Sequence, residues 1–395
     1  MPSFDTILET AVAEKDIPGA VMLAKNKSGT FNFTKSIGLQ SPLSDPSTPY
    51  NPSTVLELAS MTKLVTSIAS LQLVERGLVT LDQDLASILP SFASQHILAG
   101  FDADGKPQLH KRQNPITLRY LLTHSAGAGY MFLSGNDLAE YRTRIQMRGL
   151  VEGATVDTRF DTPLLYEPGE GWAYSSSIDR AGQVIEKVSG LNLEEYLRTN
   201  VFEPLGISTG TFWPDKDISR ESRAAITFRD PETGDVVEKP GAPSLVTGAT
   251  ECFGGQGLYM SSEDYLKILY SILVDDGKLL TRETSKMMFV PQLTKKSKAS
   301  LLHLMEDPSW AVGEFPRTNE YDWSFGGILV DGDSHEWRKR GTLIWGGAAN
   351  LFWFIDREAG LCGVFGTQIY PAGDEKVRKV ISAFEKEVYR LAASH

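Results

Sequence analysis

Ser60-Met61-Thr62-Lys63 is the stretch of this chain whose residue types and spacing could do covalent chemistry. On a helix, positions i and i+3 share a face, so the hydroxyl and the amine meet within one turn. A serine hydroxyl is a weak nucleophile until a base takes its proton. A lysine is that base only when its amine is neutral, which desolvation or a neighbouring cation achieves. The Ser60 N–H falls at a helix start, where backbone donors lack intrahelical partners and can stabilise an oxyanion. Ser-x-x-Lys occurs here once, at the start of an apolar helix. The plainer alternative is a capping serine followed by a surface lysine.

Two further stretches could complete such a site. Tyr174-Ser175-Ser176 follows the Pro168-Gly169 turn and precedes a helix. A tyrosine there could relay a proton to a leaving group; the alternative is a packed aromatic before a serine N-cap. Trp345-Gly346-Gly347-Ala348 ends a strand. Its glycines permit close backbone approach, and an N–H there could be a second oxyanion donor; the alternative is a bulge or turn.

The elements that must position these residues can be read from the pattern. Phe4 to Glu14 is helix-like. Ala20–Lys25 and Thr30–Lys35 read as strands around the hairpin signal Asn26-Lys27-Ser28-Gly29. The helix from Ser60 has an apolar face of Leu64, Val65, Ile68, Leu71 and Leu73 and stops at Gly77. Further helices are expected over Thr117 to Thr123 and over Ser177 to Val188, ended by Gly190. A glycine-rich turn, Phe253–Gly257, leads to a short strand, Leu258–Met260, and a helix capped by Ser261 or Ser262. Gly341–Trp345, Asn350–Ile355 and Leu361–Gln368 read as strands, and Asp374 to Ala392 as an amphipathic helix.

Strands thus sit at both ends and helices dominate the middle. The expected fold is α/β, an α+β sandwich: an antiparallel sheet from both termini flanked by helices, with an inserted, mostly helical lobe. The expected division is 1–90 with 240–395 for the sheet domain and 91–239 for the inserted domain, with the active site between them.

Composition narrows the class of protein. The 395 residues are 41% hydrophobic and 23% charged, with a formal net charge of −11. An acidic chain repels phosphate backbones and anionic lipid, so neither nucleic acid nor membrane is an expected partner. Cys252 and Cys362 are expected to be free thiols in a reduced compartment. With no signal peptide in the N-terminal stretch and no long apolar run, a soluble cytoplasmic protein is expected. No metal-binding pattern and no cofactor motif is apparent.

Order and spacing together carry a resemblance. Ser60 to Lys63, the Tyr174 motif about 110 residues later and the Gly-Gly turn near 345 are joined by several further stretches. These are Ile17 to Val21, Glu75 to Val79, Ile116 to Gly127, Pro204 to Ile207, Glu251 to Gly257 and Phe354 to Cys362. Over nearly its whole length the chain resembles the superfamily of class C β-lactamases and penicillin-binding proteins. Within it, the chain is most similar to family VIII carboxylesterases and the fungal statin side-chain acyltransferase group.

The resemblance implies Ser60 as the acylated nucleophile, Lys63 as its base and Tyr174 as the proton shuttle. It implies an oxyanion hole from the N–H groups of Ser60 and Ala348, and a pocket lined in part by Tyr130. Where the lactamases carry Lys-Thr-Gly this chain has Trp345-Gly346-Gly347, and where they carry an asparagine it has Ser176. Both changes turn the pocket from anion-seeking towards apolar, and towards esters rather than β-lactams.

The expected function is therefore a serine carboxylic-ester hydrolase working through an acyl-Ser60 intermediate on small-molecule esters, polyketide-type ones among them. The alternative is an acyltransferase moving an acyl group from an ester or thioester to an alcohol, with an acyl carrier protein as a conditional donor. A Ser-His-Asp hydrolase is disfavoured because no Gly-x-Ser-x-Gly elbow occurs, and His124 reads as a structural residue at a helix end. An inactive ligand-binding scaffold is the remaining alternative, against which both Ser60 and Lys63 are retained.

Overall fold

The computed structural model describes residues 2–41, 45–131, 137–145, 154–239 and 244–394. Its two chain ends build one eight-stranded sheet. From the N-terminal end come β1 (Gly19–Asn26), β2 (Asn32–Ser41) and β3 (Asp45–Pro49). The C-terminal end supplies β4 (Tyr321–Ser324), β5 (Gly327–Val330), β6 (Leu343–Gly347), β7 (Leu351–Asp356) and β8 (Leu361–Gly366). The order is β4-β5-β6-β7-β8-β1-β2-β3, and every neighbouring pair is antiparallel. The seam between the ends is β1 on β8, with Val21 opposite Gly366 and Asn26 opposite Leu361.

Helices cover both faces of this sheet. They are numbered α1 (Phe4–Ala13), α2 (Thr62–Glu75), α3 (Ser177–Ser189), α4 (Ser262–Val274) and α5 (Glu375–Ala392). Phe365 meets Phe384 of α5 at a ring separation of 6.3 Å, whereas a Cβ on the adjacent Gly366 would meet Ser262 of α4. Successive strand residues point to opposite faces, so α5 and α4 lie on opposite sides. That explains why β7 and β8 read as unbroken apolar runs rather than alternating ones: every residue in both is buried.

Helix α2 packs on α3 and is buried on every side, from Thr62 to Leu73. The sequence suggested one apolar stripe. The polar side is covered too, and two of its hydroxyls find partners there: Thr66 Oγ1 donates to the Gly254 carbonyl at 2.6 Å and Ser70 Oγ to the Thr66 carbonyl at 2.9 Å. The helix also begins later than expected. Ser60 sits in a 3₁₀ turn, Ala59–Met61, and the α-helix starts at Thr62.

The hairpin β4–β5 escaped sequence reading because Gly326, at φ +112°, and Gly327 interrupt its apolar run. Among the described residues, no helix is long and apolar enough to cross a membrane. Both cysteines are buried and free.

Candidate active site

The turn that carries Ser60 is strained and is held by neighbours on each side. Ala59 has φ +47°, a left-handed conformation that costs a non-glycine residue about 1–3 kcal/mol and persists only where its surroundings over-determine it. Here Leu58 N–H donates to the Leu258 carbonyl at 3.0 Å, and Thr62 Oγ1 donates to the Ala59 carbonyl at 2.7 Å and accepts from Leu258 N–H at 3.1 Å. Upstream, Gln368 pairs with the backbone of Glu57, accepting its N–H at 3.0 Å and donating to its carbonyl at 3.1 Å. Neither the 3₁₀ turn nor α2 has a side-chain N-cap, so the Ser60 hydroxyl is not engaged as a capping group.

Lys63 turns back onto that hydroxyl. Its Nζ lies 3.1 Å from Ser60 Oγ, 3.4 Å from Tyr130 OH and 2.7 Å from the Gly255 carbonyl. The side chain is 1% exposed. Burial pushes the amine down to about 7, against an opposing pull from Asp179. An amine with that affinity is substantially neutral at physiological pH.

The Tyr174 ring sits under the amine, 4.7 Å from Nζ to the ring centroid, and the Ser60 side chain acts to lower the pKa of its hydroxyl. Trp345 Nε1 donates to the same hydroxyl at 3.0 Å. Burial raises the pKa of Tyr174, which keeps the group a neutral phenol. Tyr130 stacks edge-on against Tyr174 at 5.4 Å, and its N–H donates to the Tyr174 carbonyl at 3.0 Å. The structure thus brings Ser60, Lys63, Tyr130, Tyr174 and Trp345 into one cluster.

The end of β6 closes in on the Ser60 turn. A Cβ at Gly347 would lie 2.3 Å from the Leu58 carbonyl, and one at Gly346 2.5 Å from the Leu351 carbonyl, so only glycines allow this approach. Neither Ser60 N–H nor Ala348 N–H has a hydrogen-bond acceptor among the described residues. Ala348 is held in turn by its neighbours. Ile369 N–H donates to the Ala349 carbonyl at 3.0 Å, and Asn350 Nδ2 donates to the Ile369 and Pro371 carbonyls, each at 2.7 Å. Residues 368–371 therefore tie the strand before Ser60 to the turn after Ala348. Ser176 stands apart from these contacts, on the wall of a small cavity beside Phe160, Ala128 and Arg180.

The sequence model described as Beta-lactamase matches residues 4–383. The chain belongs to the β-lactamase family. It is 36% identical to the monacolin J acid methylbutanoyltransferase of Aspergillus terreus, over 98% of this chain and 94% of that protein. It is equally 36% identical to the lovastatin esterase of Penicillium rubens, over 98% of each. Among solved structures, a mutant simvastatin synthase from Aspergillus terreus superposes with a TM-score of 0.92 at 35% identity, covering 99% of this chain and 95% of that one.

Several residues of this β-lactamase-family site were not visible in the sequence. Trp310 and Trp323 join Trp345 around Tyr174, with Trp172 packed against the first two and Trp323 and Trp345 edge-to-face at 4.7 Å. His124 is fully buried, at φ +57°, and its Nδ1 accepts the Ser175 N–H at 3.2 Å. That bond puts the ring proton on Nε2, and burial holds the ring neutral. His124 thus orients the backbone next to Tyr174 instead of acting as a base. Asp179, fully buried on α3, interacts electrostatically with Lys63. Trp345 has two attachments, a place in the aromatic cluster and a bond to the phenol. Trp345→Phe should keep the first and lose the second. A hydrogen bond of about 0.5–1.5 kcal/mol corresponds to a two- to twelvefold fall in kcat, with KM little changed. Steady-state kinetics on a chromogenic ester would check this; an unchanged kcat would leave Trp345 as packing alone.

Proposed function

We propose that this chain is a serine ester hydrolase acting through an acyl-Ser60 intermediate on esters of small, polyketide-type molecules. The observation that carries the proposal is the Lys63 amine: buried, pushed down to about 7, and 3.1 Å from Ser60 Oγ. In the reaction, neutral Lys63 takes the Ser60 proton as Oγ attacks the ester carbonyl. The carbonyl oxygen gains charge and is stabilised by the N–H groups of Ser60 and Ala348. Tyr174, a phenol at neutral pH, donates its proton to the departing alkoxide and recovers one from the Lys63 ammonium. Deacylation runs the same transfers in reverse, with water as the nucleophile. No metal or organic cofactor takes part in this scheme.

A second reading has its own support. Trp310, Trp323 and Trp345 pack around Tyr174, and apolar surroundings of that kind would favour a bulky acceptor alcohol and keep water away. The relatives divide in the same way, one a methylbutanoyltransferase and one an esterase at equal identity. In this reading an alcohol intercepts the acyl-enzyme, and the donor is a thioester, which an acyl carrier protein could present. The two readings share every step up to acyl-Ser60. A cytoplasmic location suits such a substrate, and the sheet domain (1–90 with 240–395) and the inserted domain (91–239) would each supply part of the site.

The test offers short- and medium-chain p-nitrophenyl esters, acyl thioesters and penicillins to the enzyme, with and without polycyclic alcohols. Trp345 in place of a lysine removes a charge-assisted bond to a lactam carboxylate of about 1.5–3 kcal/mol. Ester turnover is therefore expected to exceed penicillin turnover by tenfold or more. Acid product alone supports hydrolysis, and alcohol-dependent ester product supports transfer. Penicillin hydrolysis matching the best ester would overturn the substrate class.

A further inference from the structure

The carboxylate of Asp179 is buried with little to satisfy it. Its Oδ1 accepts the Gly255 N–H at 2.9 Å, and its Oδ2 has no hydrogen-bond partner among the described residues. The same Gly255 accepts the Lys63 amine on its carbonyl at 2.7 Å. One glycine residue therefore joins the carboxylate, through its N–H, to the amine, through its C=O. A Cβ at Gly255 would lie 2.3 Å from Asp179 Oδ2, so the approach requires glycine. The preceding carbonyl, Gly254, is pinned by Thr66 of α2. Lys63 and Thr66 on α2 and Asp179 on α3 thus grip one loop from two sides.

The other titratable groups around this pair do not change charge near neutral pH. Burial keeps Tyr130 and Tyr174 as phenols and His124 as a neutral imidazole. Arg159, from the short helix Val156–Arg159, stays cationic; it donates to the Leu245 carbonyl at 2.6 Å and lies over the Phe253 ring at 4.2 Å. Lys63 and Asp179 are left as the two groups whose charges respond to one another, and an unpaired buried carboxylate is costly.

We infer that Asp179 is a positioning residue for Lys63: through Gly255 it holds the amine against Ser60, and its negative charge sets how readily that amine is protonated. The inference rests on the reading of Lys63 as the base. Its sign is fixed. A nearby negative charge favours the ammonium, so removing the charge makes Lys63 neutral at lower pH.

Asp179→Asn keeps an oxygen for the Gly255 N–H and removes the charge. The acid limb of kcat/KM should move to lower pH by about one unit or more, while KM for a neutral ester moves less than about threefold. A purely structural role would lower activity without moving the limb. Lys63→Met, in which the cation is removed instead, gives a reciprocal readout independent of turnover. The protonated-carboxyl band of Asp179 in infrared difference spectra should titrate at higher pH than in the unmodified protein. An unmoved acid limb in folded Asp179→Asn, or an unmoved carboxyl titration in Lys63→Met, overturns the inference. Retained turnover in Lys63→Met would instead overturn the base assignment, so the two failures are distinguishable.

Discussion

Ser60→Ala is expected to abolish ester turnover, by a factor on the order of 10⁵–10⁶, and to leave the fold unchanged. Loss of a serine nucleophile in enzymes of comparable chemistry costs about that much, and what remains comes from binding and backbone donors alone. The structural side follows from the turn itself. Ser60 caps no helix, so alanine forfeits no cap energy, and its hydroxyl interacts with Lys63 and Tyr174 within the cluster. Alanine already occupies position 59 of the same turn, and the turn's supports come from Leu58, Thr62 and Leu258. The thermal midpoint should therefore stay within a few degrees. Steady-state kinetics and thermal unfolding check both halves. Turnover within tenfold of the unmodified enzyme would exclude Ser60 as the nucleophile.

Lys63→Arg is expected to lower kcat by about a thousandfold or more, although it retains a cation. Guanidinium stays protonated in proteins and accepts no proton from Ser60. Removing a general base costs about 10²–10⁴. The wider fork must also fit a site already filled by Tyr130, Tyr174 and the Gly255 carbonyl. The companion expectation concerns pH. Below about 7 the Lys63 amine is protonated and inactive as a base, and above it the amine is neutral. The unmodified enzyme should therefore gain activity as pH rises through about 7. Near-normal turnover in Lys63→Arg, or an activity flat across this range, would make Lys63 an electrostatic or packing residue.

The parts of the site that lie close together in sequence were legible before the structure. Ser60 and Lys63 are three apart, and helical geometry alone places them on one face. Tyr174 and Trp345 are separated by 171 residues, and no periodicity could join them; only the resemblance suggested that both belong to the site. The hydrogen bond between them was unforeseen, since a tryptophan in place of a lysine read simply as apolar wall. Asp179 was invisible for a different reason. An acidic residue in the first turn of a helix is ordinary complement to the helix dipole, and its burial is a property of the packing of α2 on α3. His124 was read as structural, and its bond to Ser175 N–H gives that role a geometry.

For the fold, β1, β7 and β8 and helices α3 and α5 lie within a few residues of their expected bounds, and α4 starts at its expected cap. Their signals were strong: apolar runs, Gly190 in the left-handed conformation after α3, and Ser261 and Asp374 as side-chain caps. The hairpin Tyr321–Val330 and the small pair His96–Phe101 with Pro107–Lys111 were missed. The first is buried throughout, but Asp322, Ser324 and its two glycines break the apolar run, and much of the second is exposed.

The most direct test of acyl-Ser60 chemistry is the intact mass of the enzyme during turnover of a slow ester or acyl thioester, quenched in acid and mapped by peptide. The account predicts a mass increase equal to the acyl group, located on the peptide containing Ser60 and absent from Ser60→Ala. An acyl group on another residue, or steady turnover with no covalent adduct at any quench time and no burst of alcohol release, would contradict it.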